Sequence, residues 1–121
     1  MDDTVNNDTQ TKIAASLCAL LKERNALGVT LLDFSAIQMW CDFFIVATVT
    51  SSTHAGGLER EINDFAKEHN ITILNSRKKT LSGNEWQYCD LGDIVIHLMS
   101  EKARSFYELE NLYIDAVITH F

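Results

Sequence analysis

Between Thr11 and Gly28 the apolar residues Ile13, Leu17, Leu20, Leu21 and Leu27 recur at near-helical spacing, with Gly28 placed where a helix stop belongs. A first helix is predicted there. Residues 1 to 10 are polar and acidic without periodicity, so they are expected to form a flexible leader ahead of one domain spanning residues 11 to 121. Val29 to Phe34 is β-rich and closes at a polar turn near Ser35. Asp42 to Val49 is almost continuously apolar, as expected of a strand covered on both faces. Thr50 to Thr53 then offers N-caps for a second helix carrying Leu58, Ile62, Phe65 and Ala66 and ending near His69. Ile71 to Leu74 reads as a short strand, and Asn75 to Asn84 as a polar loop holding the basic cluster Arg77-Lys78-Lys79.

The most informative stretch is Glu85 to Met99, where two strand patterns flank the tight turn Gly92-Asp93. A two-residue connection opposes Leu91 to Ile94, Tyr88 to His97 and Trp86 to Met99. Because side chains alternate across a strand, Trp86, Tyr88, Asp90, Val95, His97 and Met99 share one face. Gln87, Cys89, Leu91, Ile94, Ile96 and Leu98 share the other, which is more apolar and is expected to lie under helices. The Trp86 face is then left open as an aromatic surface of the kind enriched at protein interfaces. Ser100 caps a final helix containing Ala103, Phe106, Tyr107, Leu109, Leu112, Tyr113 and Ala116. Strands interspersed with helices and a late hairpin predict an α/β domain with a mixed sheet of about five strands.

Charge narrows the partner class. With 10 Lys and Arg against 17 Asp and Glu, the net charge is -7, which disfavours a protein that grips nucleic acid over its whole surface and favours a basic protein partner. Arg77-Lys78-Lys79 is either a solvated loop or a contact with an acidic surface or phosphate, and three adjacent charges do not decide between them. Cys18, Cys41 and Cys89 have no disulfide-like or zinc-like spacing, and His54, His69, His97 and His120 are scattered, so no metal or cofactor is expected. The apolar run Phe43 to Val49 falls far short of the roughly 20 residues of a spanning helix, and a cytoplasmic protein is the default expectation.

Catalytic constellations are weak. Cys89, His97 and Asp90 are the tempting set, but the hairpin register points Cys89 and His97 to opposite faces. Asp90 and Asp93 flank a turn, where Asp is common for backbone reasons, and no Asp-x-Asp occurs after residue 10. Gly56-Gly57 in the second helix suggests close backbone packing more than a phosphate loop, whose lysine is missing. The rival to a binding protein is a small nucleotide- or metal-dependent transferase using Ser51, Ser52, Gly56 and Gly57 near a phosphate and Asp90 or Asp93 for a metal.

Several separated motifs occur in one order: Asp42-Phe43-Phe44-Ile45-Val46-Ala47-Thr48, then Thr50-Ser51-Ser52 with His54. Trp86 follows, then Asp90-Leu91-Gly92-Asp93-Ile94-Val95-Ile96-His97, Arg104-x-Phe106-Tyr107-x-Leu109-Glu110 and Asp115-Ala116. Together, over about residues 12 to 116, they resemble the ribosomal silencing factor (Iojap-like) family. The resemblance implies a nucleotidyltransferase-like fold without catalytic residues, a homodimer when free, and no enzymatic activity. It also implies binding to large-subunit ribosomal protein fourteen, which blocks joining of the small subunit and represses translation when nutrients are short. Any direct RNA contact would be minor. Trp86 matches the family's tryptophan at the ribosomal contact. Asp90, Leu91 and Met99 are carried over as neighbours, and Tyr88 and His97 complete the expected partner-binding face. The chain departs from the family pattern at Val49, where Gly is usual, at Thr53 (Arg), at Lys79-Thr80 (Glu-Gly) and at Tyr113 (Trp).

Overall fold

The two most apolar runs of the chain lie side by side in the middle of a six-stranded mixed sheet. The computed structural model describes residues 2–37, 39–79, 85–113 and 115–121. In chain order the elements are α1 (Asp2–Glu23), β1 (Leu27–Asp33), β2 (Phe43–Thr48), α2 (Ser52–Glu68), β3 (Asn75–Lys79), β4 (Trp86–Asp90), β5 (Ile94–Met99), α3 (Glu101–Tyr107), α4 (Leu109–Leu112) and β6 (Val117–His120). The sheet order is β3-β4-β5-β2-β1-β6. β2 and β5 pair in parallel and every other neighbouring pair is antiparallel. Every residue of β2 and β5 is buried, because both faces of these central strands are covered.

One face is covered as the pattern requires. Phe43, Ile45, Ala47, Cys89, Ile94, Ile96 and Leu98 form a single core with Leu17, Cys18 and Leu21 of α1 and Leu58 and Ile62 of α2. Burying each large aliphatic side chain contributes about 1.5–3 kcal/mol, so this layer is a major source of the fold's stability. The other face holds a second core, in which Leu32, Phe44, Val46, Val95 and Met99 meet Phe34, Cys41, Ala103 and Leu109.

Local chemistry explains the element ends and corrects several expectations. The helix expected from Thr11 starts at Asp2, since residues 2–10 contain neither Gly nor Pro to break it. Its stop is Asn25, not Gly28: Asn25 takes φ 69, and the Ala26 N–H donates to the Leu21 carbonyl while the Asn25 N–H donates to that of Lys22. Gly28 sits instead inside β1 with φ 55, at a register irregularity against β2. α2 is capped by Ser51, whose Oγ accepts the His54 N–H at 3.0 Å. Gly56 is not a close-packing site, because a Cβ there would meet nothing within 4 Å.

The third strand is shifted. Ile71–Leu74 forms no strand, and the polar stretch expected to be a loop supplies β3, in which Arg77 faces Tyr88 and Lys79 faces Trp86 on the backbone ladder. β3 is a sheet edge, where basic residues are tolerated and discourage further strand addition. The remainder of the expected loop, residues 80–84, lies outside the described residues. The expected final helix is broken at Glu108, which takes φ 48, and the chain then returns as β6 against β1. The β-branched run Val117-Ile118-Thr119 was the available signal for this sixth strand.

The Arg104-to-Glu110 motif joins these parts. Arg104 Nη1 donates to the Gly28 carbonyl at 2.6 Å and to Thr48 Oγ1 at 3.1 Å, and Nη2 donates to Thr30 Oγ1 at 2.9 Å. Nη2 and Nε also bond Glu110 Oε2, at 2.9 and 3.2 Å. One guanidinium thereby fastens β1 and β2 to α3 and α4.

Candidate functional site

The predicted hairpin register is observed: Trp86 opposes Met99, Tyr88 opposes His97 and Cys89 opposes Ile96. Cys89 accordingly lies in the core beside α1 and α2, whereas His97 packs on Phe44 of the other core, so the two do not pair. The turn is held by Asp90, whose Oδ1 accepts the Gly92 N–H at 2.8 Å, while Gly92 takes φ 91. That is the backbone role of a turn aspartate.

The face carrying Trp86 is only partly open, which corrects the expectation of an uncovered sheet. Met99 is 0% exposed and His97 6% exposed, because the broken C-terminal helices and the segment containing Phe34 and Cys41 fold over them. Neither residue presents a surface to a partner. Trp86 and Tyr88 remain half-buried, as do Asp90 and Leu91 at the end of the hairpin. Leu91 packs against the opposite core, beside α1 and α2.

His97 instead orders Trp86 from beneath. The indole Nε1–H donates to His97 Nδ1 at 3.0 Å. Burial pushes the imidazole pKa down to about 4, so the ring is neutral at pH 7. With Nδ1 accepting, the proton resides on Nε2, which is buried and has no hydrogen-bond partner among the described residues. Phe44 packs on the imidazole at 4.5 Å between centroids, and Tyr107 packs on the Trp86 indole at 4.6 Å. This bracing fixes the indole in one orientation, which lowers the ordering cost of using it as a contact.

Two exposed aromatics extend this row, and the sequence reading missed both. Phe106, 71% exposed, packs on Tyr107 at 5.0 Å. Trp40, 66% exposed, packs edge-on against Phe44 at 6.0 Å. A tryptophan in the connection just ahead of a buried strand was the signal for Trp40. Phe106 was hidden because a helical pattern alone does not reveal which apolar residue faces outward.

Of the residues of the enzymatic alternative, Ser51 and Asp90 have structural roles, and neighbouring side chains are engaged in the same way. Ser51 caps α2, and His54 links two elements: its Nδ1 accepts the Thr50 N–H at 3.2 Å, while Nε2 bonds the Arg24 carbonyl at 2.9 Å. All three cysteines are free and buried, and burial raises Cys18 and Cys41 to about 12 and Cys89 to about 11, so each is a thiol at pH 7. Among the described residues, no three His, Cys, Asp or Glu side chains converge to hold a metal ion, and no helix is long and apolar enough to cross a membrane.

The structure is an α/β domain whose sheet carries a braced tryptophan, and comparison with known proteins gives its family. Residues 7–120 match the family described as "Ribosomal silencing factor during starvation". The ribosomal silencing factor RsfS of Treponema pallidum is 33% identical over 93% of this chain and 96% of its own length. The RsfS of Bacillus subtilis is 31% identical over 93% and 91%. A crystal structure of a Chromobacterium violaceum protein superimposes with a TM-score of 0.74 at 27% identity, covering 85% of this chain and 84% of that one. The chain belongs to the ribosomal silencing factor family.

Proposed function

We propose that this protein represses translation by docking on large-subunit ribosomal protein fourteen and obstructing the approach of the small subunit. The observation that carries this reading is Trp86, a half-buried indole braced by His97 and Tyr107 on a sheet face; the resemblance set out above matches it to the family's ribosomal tryptophan. Tyr88 and Asp90 flank it on the same strand face, and Leu91 lies at the hairpin end. His97 and Met99 act from below as supports. The net charge of -7 complements a basic ribosomal protein. Occlusion needs no catalytic group, only a stable domain held where another surface must dock. In this reading the free protein is a cytoplasmic homodimer.

The test is sedimentation with purified large subunits, followed by addition of small subunits and measurement of joined ribosomes. Wild type should co-sediment and reduce joining. Trp86→Ala should lose most of the affinity, since a buried aromatic anchor contributes about 2 kcal/mol or more. The substitution also strips His97 Nδ1 of its donor, so its folded fraction must be matched by circular dichroism. Wild-type protein that fails to bind large subunits at micromolar concentration refutes the reading, and a folded Trp86→Ala variant with unchanged affinity refutes the role of Trp86.

A further inference from the structure

We propose that Trp40 and the acidic end of the sheet form a second contact, anchored on the same core as Trp86, that receives an Arg- or Lys-bearing segment of a basic ribosomal protein. The inference rests on the ribosomal docking described above and extends it from the hairpin turn to the neighbouring ends of β1 and β2.

Three observations place the contact. First, Trp40 is mostly exposed although its ring makes an edge contact with Phe44. A large indole fixed on one side and open on the other is a ready platform for an incoming side chain. Second, the sheet topology gathers aspartates beside it. Asp33 ends β1 opposite Phe43, and the Asp93 carbonyl accepts both the Asp42 N–H at 2.8 Å and the Phe43 N–H at 3.0 Å. Burial first, and then the neighbouring Asp93 and Asp33, raise the Asp42 carboxyl above its usual range. Among the described residues no Lys, Arg or His forms an ion pair with Asp33, Asp42 or Asp93. A cation arriving there would relieve this mutual repulsion. Third, ring contacts run from Trp86 through the buried His97 and Phe44 to Trp40, so both indoles are anchored on the same core. A partner that engages Trp86 has the second indole within reach only by spanning the segment that covers His97 and Phe44.

The charge identifies the occupant. An isologous contact between two copies would set the aspartates of one against those of the other, which is unfavourable. Tryptophan is the best aromatic platform for a guanidinium or ammonium group, and the adjacent carboxylates supply hydrogen-bond acceptors for the same cation.

The experiment measures binding of the full chain to isolated large subunits across a salt series, for wild type, Trp40→Ala, Asp93→Lys and Trp86→Ala. Trp40→Ala and Asp93→Lys should each weaken binding about tenfold or more, and Asp93→Lys should also flatten the salt dependence. The Asp93 side chain is exposed, so its charge reversal decides the matter even if Trp40→Ala fails to fold. If both variants bind as wild type while Trp86→Ala does not, the second contact is refuted and the docking reading stands. If wild type itself does not bind large subunits, both fall. If the variants alter only the sedimenting mass of the free protein, the occupant is a second copy and the inference is overturned.

Discussion

Replacing Arg104 with methionine keeps the length of the side chain and removes its charge and every donor. The guanidinium is 16% exposed and Glu110 25% exposed, so the pair is neither a surface salt bridge nor fully buried. Breaking a buried pair by removing one partner costs about 3–5 kcal/mol, whereas exposed pairs are worth under about 1 kcal/mol. Glu110 Oε1 is already buried without a hydrogen-bond partner, and the substitution removes the partner of Oε2 as well. The Gly28 carbonyl and Thr48 Oγ1 also lose a donor. Discounted for partial exposure, the expected loss is about 2–3 kcal/mol. Urea denaturation at pH 7 and fixed protein concentration reads it as a lower midpoint with an unchanged slope, a shift of about 1 M for a chain of this size. Glu110→Gln then completes a double-mutant cycle. A coupling above about 1 kcal/mol is expected, because the unpaired carboxylate causes much of the loss. A midpoint for Arg104→Met within experimental error of wild type, or strict additivity with Glu110→Gln, would refute the claim that this guanidinium fastens the C-terminal helices to the sheet.

Gly28→Ala should destabilise the fold by about 1–2 kcal/mol, since its φ is 55 and an added Cβ would stand 2.8 Å from Arg104 Nη1; Gly28→Ala in the Arg104→Met background should cost less. A second prediction concerns pH. His97 titrates near 4 when folded and near 6.5 when unfolded, so the unfolded chain binds the extra proton between these values. Its contribution is therefore fully present above about pH 6.5, is lost as pH falls toward 4, and changes no further below that. At pH 5 wild type should have lost about 2 kcal/mol relative to His97→Gln, comparing denaturation midpoints of the two proteins at pH 7 and pH 5. Parallel pH profiles would show that His97 is not buried in neutral form.

Legibility in the sequence tracked the range of the interactions involved. The Trp86-to-Met99 register was readable because a two-residue turn leaves one pairing that keeps Cys89, Ile96 and Leu98 on a common face. Strand β2 and helix α2 were readable from a long apolar run and from an N-cap beside helical spacing. The stop at Asn25 was obscured by the nearby Gly28, which serves a bulge and an arginine instead. β3 was hidden because edge pairing draws on the backbone of β4 more than on the side chains of Asn75–Lys79. The proposed contact residues divided in the same way. Trp86 was legible as a special aromatic, whereas Trp40 gained its setting only from contacts with strands distant in the chain.

Alternation along the hairpin, the caps and the acidic balance are local or additive properties, so the residues of this protein determined them without reference to the fold. Coverage is a different kind of property. Whether His97 and Met99 face a partner or a core depended on where the segment after Ser100 breaks and which face it crosses, and the turn at Glu108 with the return of β6 to β1 decided that. The same long-range packing turned Arg104 from one motif residue into a fastening between four elements, and gathered Asp33, Asp42 and Asp93 at one end of the sheet. Contacts between residues far apart in sequence follow from the joint packing of every element, which no single stretch of the chain specifies.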